Sequence, residues 1–514
     1  MSDARSDIKS GIKSTRHGNI LAARIIADTV RSTLGPRGMD KVIVDETQHI
    51  SVTNDGATIL RNLQSDHPVA RMICEIALSQ EAQVGDGTTS AVLIAGELLK
   101  NAQQLLDQHI HPTIIAQGYI AASQKSLVFL DELATDVSKL TSDTSAYNAL
   151  LLNIAKTAMV GKSAEYDSAH LAKICVEAAT ELSSLSLDSI QILTQLGESA
   201  LQSQFKSGIM VNKVRVHSQM PLTLPDAKIA LVTCPLEAKE PELTSRLHIS
   251  SPDQLSQFLA HEEKYMDTLV QKLIDAGITA VFSSKGIDEF VAAKLAKAGI
   301  LGVRRVTQSD LTKLAQLTGA QISNTVSDIS VGRGSISIQS IGESQYTHVT
   351  TQKSAKNDFG SIVLVGATQH VVDELARAVE DALGDLRAVS KSRKIVGGAG
   401  SIEIQLSQKL QEFARTLTGK EQLAVIAYAK SLEIIPQVLA ENSGFDSLDI
   451  LSQLHANPGF GVCMQHKVMC ALDAGIVEPI DVKRHALRSA SDVAVLVLRI
   501  DDILLPPKDI SPQG

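Results

Sequence analysis

The chain has 514 residues, with 48 Lys and Arg against 57 Asp and Glu, for a formal net charge of −9. That length exceeds what one hydrophobic core serves and predicts about three domains. Aromatic residues are 3% with no Trp, which argues against a basic, stacking nucleic-acid surface, so no nucleic-acid partner is expected. The opening "MSDARSDIKSGIKSTRHGN" is polar without a signal-type apolar core, and no run reads as approaching transmembrane length. A cytoplasmic protein with no membrane partner is expected. The five cysteines (Cys74, Cys175, Cys234, Cys463, Cys470) form no CxxC pair and read as small buried residues in a reducing compartment.

In chain order, "ILAARIIADTVRSTLGPRG" predicts an amphipathic helix stopped at Gly35-Pro36, with Gly35 suited to its C-terminal cap. "KVIVDETQHISVTNDG" predicts a hairpin, its two β-branched runs flanking a polar turn. The Asn-Asp-Gly that closes it predicts a sharp turn exposing Asp55, and an ordinary turn uses the same residues. Helices are predicted around Pro68, after Thr89 and after "HPTIIAQGY", making the first 140 residues nearly all helical.

The stretch "AQVGDGTTSAVLIAGELL" (82–99) sets one acid between two glycines ahead of three hydroxyls. Ala91, Val92, Ala95, Leu98 and Leu99 share one helical face, which puts Thr88, Thr89 and Ser90 at a helix N-terminus. Backbone N–H groups there lack internal partners and the dipole favours anions. Asp86 is suited either to cap that helix or to hold a metal shared with phosphates, and the local residues leave both readings open.

The middle of the chain changes character. "AKIALVTCP", "ITAVFSS" and "ILGVRRV" read as buried strands separated by helices, an α/β unit. One such helix begins with Ser251 as N-cap and Pro252 at its first position, with an apolar stripe through Leu255, Leu259, Met266, Leu269, Val270 and Leu273. Helical ends around this middle suggest nested insertion, with the N- and C-terminal thirds forming one domain. Asp381, in "EDALGDLR", falls on a helix where a solvated face is the plain alternative. Asp55, Asp86 and Asp381 would be united by phosphoryl transfer to water, which needs a divalent metal and carboxylates that orient water. The usual nucleotide signatures are missing. "AMVGKS" lacks the first P-loop glycine, which would fall at Lys156, and "IVGGAGSIE" does not follow the dinucleotide pattern.

Taken together, "TLGPRGMDK" (33–41), "TNDGATIL" (53–60), "VGDGTTSAV" (84–92), "HPTIIAQGY" (111–119), "AKIALVTCPLEAKEPE" (227–242), "KAGILGVRRV" (297–306), "EIIPQVLAEN" (433–442) and "VEPIDVK" (477–483) with "SASDVAVLVLRIDDIL" (489–504) resemble the group II chaperonins. That family comprises the archaeal thermosomes and the eukaryotic cytosolic chaperonin. The resemblance implies a multidomain fold: a mainly α-helical equatorial ATPase domain (1–140 and 395–514), a mixed α/β intermediate hinge domain (141–210 and 360–394), and an α/β apical domain (211–359). The apical domain would carry a helical protrusion as a lid near "EAKEPELTSRLHISSPDQL".

The resemblance implies ATP and Mg2+ as cofactors. Asp86 would ligate the magnesium, with Gly87, Thr88, Thr89 and Ser90 on the phosphates. Thr33, Leu34, Gly35 and Pro36 would contact the nucleotide from the opposite side. Asp55 and Asp381 would orient water, with Asp381 arriving as the ring closes. Lys162 would sense the terminal phosphate, Gly398 would lie in the glycine turn, and Glu478 and Lys483 would lie beside ribose and base. Implied partners are unfolded proteins and identical or paralogous subunits in stacked rings, and the hairpin at 41–53 resembles an element that pairs with a neighbouring subunit. Three departures stand out: Ala399 within the glycine turn, Val365 in place of a usual arginine, and Gly461 in place of an Asp or Asn near the adenine. They motivate a competing reading, a ring-forming scaffold or holdase that binds ATP without productive hydrolysis.

Overall fold

The computed structural model describes residues 2–502 except 45–47, 49, 64, 66, 139, 141–142, 163–166, 183–188, 238–251, 343 and 352–357. The chain forms two compact units, Met1–Val176 with Asp373–Gly514, and Glu177–Val372.

The first unit opens with α1 (Ser2–Arg31), hairpin strands β1 (Lys41–Val44) and β2 (Ile50–Thr53), then α2 (Gly56–Asn62), α3 (Pro68–Gln83), α4 (Thr88–Asp107) and α5 (Pro112–Leu133). The hairpin is antiparallel with Lys41 opposite Thr53, as its sequence predicts. A short β3 (Thr135–Asp136) leads to α6 (Thr144–Met159) and α7 (Ser168–Glu181), which ends in the second unit. Gly35 does not cap α1. The helix stops at Arg31, where the Thr33 hydroxyl donates to the Val30 carbonyl at 2.8 Å. Gly35 instead takes φ +88° in the turn beyond.

The second unit carries β4 (Ile190–Leu196), β5 (Gln204–Ser207), β6 (Ile209–Val211), β7 (Thr223–Val232), α8 (Pro252–Asp275), β8 (Ala280–Ser283), α9 (Glu289–Lys297), β9 (Leu301–Val303), α10 (Gln308–Thr318), β10 (Ile322–Ser323), β11 (Gly332–Ile341), β12 (Ser344–Thr350) and β13 (Gly360–Gly366). Strands β7, β8 and β9 run parallel, and the helices between them supply the crossovers that parallel strands require. The full sheet is ordered β6-β12-β11-β7-β8-β9, with β10 also on β7. Leu269, Val270 and Leu273 of α8 are buried in its core. Ser251 and residues 238–250 of the expected protrusion lie outside the described residues, as do the side chains of Leu255 and Leu259. Val365, on β13, is wholly buried with Met210, Ile341, Tyr346 and Val363. An apolar side chain fits that surrounding.

Helix α11 (Gln369–Ser392) brings the chain into the first unit, followed by β14 (Lys394–Gly397), α12 (Ser401–Ala414), α13 (Lys420–Leu432), α14 (Ile434–Asn442), α15 (Ser447–Ala456), β15 (Phe460–Cys463), β16 (Lys467–Cys470), β17 (Val477–Pro479) and α16 (Ile480–Arg499). Around α4 pack α1, α3, α13 and α16. The five residues predicted to share a face of α4 are fully buried, and so are Leu93 and Ile94, so the helix is a central rod rather than an amphipathic wall. Gly96 permits the contact with α1, because a Cβ there would lie 2.5 Å from that of Ala27. Tyr119 and Tyr428 meet edge-to-face at 5.6 Å beside it, each hydroxyl bonded, to the Leu98 carbonyl and to Ser491. One stretch, Lys420–Asn442, is apolar and long enough to cross a membrane, contrary to the sequence expectation. Its most apolar window is 67% buried, and the stretch consists of two helices of this core.

Candidate functional site

Two helix starts build the centre of the site. Asp55 is the N-cap of α2, its carboxylate accepting from the backbone N–H groups of Ala57 at 3.4 Å and Thr58 at 2.7 Å. The exposed turn predicted for Asp55 is thus a fixed, part-buried cap. For α4 the N-cap is Gly87 at φ +80°, with no side-chain cap bond, so Asp86 is not the cap of this helix. A Cβ on Gly56 would lie 2.5 Å from the Thr89 hydroxyl, so the glycine lets α2 close on the α4 N-terminus. Buried Gln80 fixes the loop, its amide donating to the Asp86 carbonyl at 2.8 Å and the Val482 carbonyl at 3.1 Å.

A cavity of about 460 Å3 opens onto these groups. Thr33, Leu34, Gly35 and Pro36 line it, joined by Asp55, Asp86, Gly87, Thr88, Thr89, Ser90, Lys162, Glu478 and Lys483. The Thr33–Pro36 turn is held by Asn442, whose amide donates to the Leu34 carbonyl at 2.8 Å. Gly161 presses against the Gly35 carbonyl so closely that no side chain fits, and Asn54 donates to the Gly161 carbonyl.

Asp381 and Gly398 do not line the cavity. Asp381 reaches it through an ion pair with Lys162, the two side chains being 16% and 14% exposed. Helix α11 sits close enough for this because a Cβ on Gly384 would lie 2.5 Å from the Val84 carbonyl. Gly398 acts indirectly, since a Cβ there would lie 2.6 Å from a Glu478 carboxylate oxygen.

The electrostatics follow from burial. Burial pushes the Asp381 carboxyl up to about 8, with Asp86 and Asp55 adding to the rise and Lys162 opposing it. Lys162 shifts upward: burial favours losing its proton, but Asp381, Asp86 and Asp55 together hold it charged. Lys483 sits between Glu403 at 2.9 Å and Glu478 at 2.7 Å, and both carboxylates raise it against the effect of burial. Its charge is neutralised locally before any ligand arrives.

Three residues of the site escaped the sequence reading. Gln80 reads as an ordinary polar residue of α3. Glu403 reads as the third residue of a helix, yet it is 2% exposed. Asp385 lies one turn after Asp381, is 1% exposed, and has one carboxylate oxygen without a hydrogen-bond partner. Burial, then Asp86, Glu478 and Asp381, push it well above the usual carboxylate range. The spacing of four between Asp381 and Asp385 was the available signal. Cys463 also lines the cavity, and among the five free cysteines only Cys175 is fully buried, so the uniform buried reading fails.

The TCP-1/cpn60 chaperonin family model matches residues 26–507. The chain belongs to this chaperonin family. It is 42% identical over 498 residues to the thermosome subunit beta of Methanothermobacter thermautotrophicus, covering 95% of this chain and 91% of that one. Against the thermosome subunit alpha of Archaeoglobus fulgidus it is 41% identical over 516 residues, 96% of this chain and 93% of the relative. The thermosome subunit of Methanocaldococcus jannaschii is 42% identical over 506 residues, 95% and 92% of the two chains.

Within this chaperonin chain, two of the departures meet. Ala399 takes φ +55°, a left-handed conformation that residues with a Cβ seldom adopt. A Cβ built on Gly461 would lie 2.9 Å from the Ala399 methyl. The methyl therefore occupies the space that a side chain at 461 would need.

Proposed function

We propose that this chain is a subunit of an ATP-dependent chaperonin that assembles with identical or paralogous copies into stacked rings in the cytoplasm, encloses unfolded proteins and hydrolyses ATP to drive lid closure. One observation carries the hydrolytic part: Asp55, Asp86 and the Lys162–Asp381 pair come from four separate chain segments and gather at the N-terminus of α4. The domain reading into equatorial, intermediate and apical parts, with the boundaries given above, belongs to the same proposal.

The residues fit a magnesium nucleotide. Magnesium is commonly bound by one or two carboxylates together with substrate phosphates rather than by an all-protein cage. Asp86 supplies one such carboxylate, beside the N–H groups and hydroxyls of Thr88, Thr89 and Ser90, and no group of three or more metal-binding side chains is present among the described residues. The bound metal would neutralise phosphate charge. This chain's own residues do the rest. Lys162 stays protonated and adds positive charge where the terminal phosphate would lie. Asp55 is locked by two backbone donors, so its carboxylate holds a water in a fixed direction. Asp381, with its carboxyl raised toward ambient pH, is matched to accept a proton from that water. While Lys162 holds Asp381, that acid is engaged, so a shift of Lys162 toward phosphate would release it.

The test is steady-state phosphate release by the Asp55→Ala, Asp381→Ala double variant, with ring assembly followed by electron microscopy. Turnover should disappear while rings persist. Unchanged turnover would refute the assignment of these two acids. The holdase reading requires the wild-type chain to bind ATP without releasing phosphate, and the same assay settles it.

A further inference from the structure

One buried side chain outside the cavity lining ties together three pieces of the chain. Gln80 lies in the last turn of α3 and is wholly buried. Neither it nor the two α16 residues it meets, Val482 and His485, line the cavity, whereas Asp86, Gly87 and Lys483 do. The loop that carries Asp86 is folded around Gln80. The Gln80 carbonyl accepts from the N–H groups of Val84 at 3.0 Å and Gly85 at 3.3 Å, and its side-chain amide donates to the Asp86 carbonyl at 2.8 Å. A second donation from the amide reaches the Val482 carbonyl at 3.1 Å, one residue before Lys483. The packing is close. A Cβ on Gly87 would lie 2.7 Å from Val482 Cγ1 and 3.1 Å from the Gln80 amide nitrogen.

The hydrogen bonds fix which way the amide is turned. Its nitrogen carries two donors and its oxygen only accepts. Carbonyls also only accept, so the nitrogen must face Asp86 and Val482 and the oxygen must face away from them. That oxygen lies 2.7 Å from Nδ1 of His485. The ring therefore carries a proton on Nδ1 and donates it, because two acceptors would repel. A flipped amide would set its oxygen against two carbonyls and its nitrogen against a donor. His485 thus selects the one orientation in which both polar atoms of the buried amide have partners.

The consequence falls on Asp86. Its peptide bond to Gly87 is trans and planar, so holding the carbonyl fixes the backbone on both sides. An acid already held binds a metal without the cost of being ordered first. Partners that orient a metal-binding residue are typically worth about 10- to 100-fold in metal affinity or activity. We propose that Gln80 and His485 act as a pair that positions Asp86 for magnesium and sets the affinity of the nucleotide site for the metal. Both are positioning residues, acting through the Asp86 backbone. The inference rests on the magnesium nucleotide reading of the cavity.

The experiment titrates magnesium against the assembled full chain and follows binding of a fluorescent ADP analogue, with a parallel measurement in EDTA. The magnesium dependence of phosphate release is recorded alongside. Gln80→Met keeps the length of the side chain and removes its hydrogen bonds. It should raise half-saturating magnesium about 10- to 100-fold in both readouts, while analogue affinity in EDTA stays within about threefold of wild type. His485→Phe removes the donor to the amide and should raise half-saturating magnesium about two- to tenfold. His485→Asn offers an amide N–H near the place of Nδ1–H and should restore the wild-type value within about twofold. A purely structural role predicts weakening by the same factor with magnesium and in EDTA, and that result overturns the proposal. Unchanged half-saturating magnesium in Gln80→Met rings also overturns it. If Gln80→Met fails to assemble, the His485 variants decide, and equal behaviour of Phe and Asn overturns the pair. Wild type that binds the analogue neither with magnesium nor in EDTA refutes the nucleotide reading itself, and the proposal with it.

Discussion

Ala399 and Gly461 should behave as one energetic unit. A left-handed conformation costs a residue with a Cβ about 1–2 kcal/mol. Glycine at 399 removes that cost but returns about 0.5–1 kcal/mol through a freer unfolded chain. Ala399→Gly is therefore expected to be neutral or stabilising by up to about 1 kcal/mol. Gly461 lies in β15, outside the left-handed region, so alanine is conformationally acceptable there. Space is the obstacle. The new methyl would stand 2.9 Å from the Ala399 methyl and 3.0 Å from the carbonyl oxygens of Gly398 and Ala399. Carbon pairs prefer about 3.5–4.0 Å, and overpacking of this kind costs about 1–3 kcal/mol. In the double variant the methyl contact disappears while the carbonyl contacts stay, so about 1 kcal/mol of coupling should remain after the single effects are subtracted. Urea unfolding of the wild type, both single variants and the double variant, at one protomer concentration, measures it. Additivity within about 0.5 kcal/mol would show that the two positions do not meet as described.

Other consequences follow from the acids and from α11. Asp385 is buried with an oxygen lacking a partner, so Asp385→Val should stabilise the protein by about 1–3 kcal/mol in the same assay. Its carboxyl keeps a proton in the folded chain that the unfolded chain releases above about pH 4. The wild type therefore loses stability as pH rises above that value, and the advantage of the valine variant should be larger at pH 8 than at pH 5; an advantage that shrinks with pH would contradict the burial assignment. With Asp381 raised to about 8, its carboxylate form grows across that pH. The kcat/KM for phosphate release should climb from pH 7 to 9 and level off, and Asp381→Asn should abolish the climb. A flat wild-type profile would remove Asp381 as proton acceptor. Finally, Gly384→Ala would place a methyl 2.5 Å from the Val84 carbonyl, a backbone atom that cannot rotate away. Displacing α11 from the loop should cut turnover by about 100-fold with nucleotide affinity little changed. Near-normal turnover would show that the close approach is dispensable.

Much of this protein was legible in one dimension. The hydroxyl run after Gly87 starts α4 where the apolar periodicity places it, and β7, β8 and β9 follow from their β-branched runs. These are local properties, set by propensity and by the residues that begin and end elements. The motifs around Asp55 and Asp86 were legible for the same reason, because each is a contiguous stretch.

What pattern could not supply is which segments meet. Only the tertiary structure brings Lys162 onto Asp381, places Lys483 between Glu403 and Glu478, and leaves Asp385 without a partner for one oxygen. It also decided that Asp55 caps a helix and Asp86 does not. Periodicity reports how a segment presents its faces, but charge, burial and close approach depend on neighbours hundreds of residues away. The Ala399–Gly461 contact is the clearest case: each substitution looks like an isolated loss in the sequence, and the fold makes them two sides of one packed space.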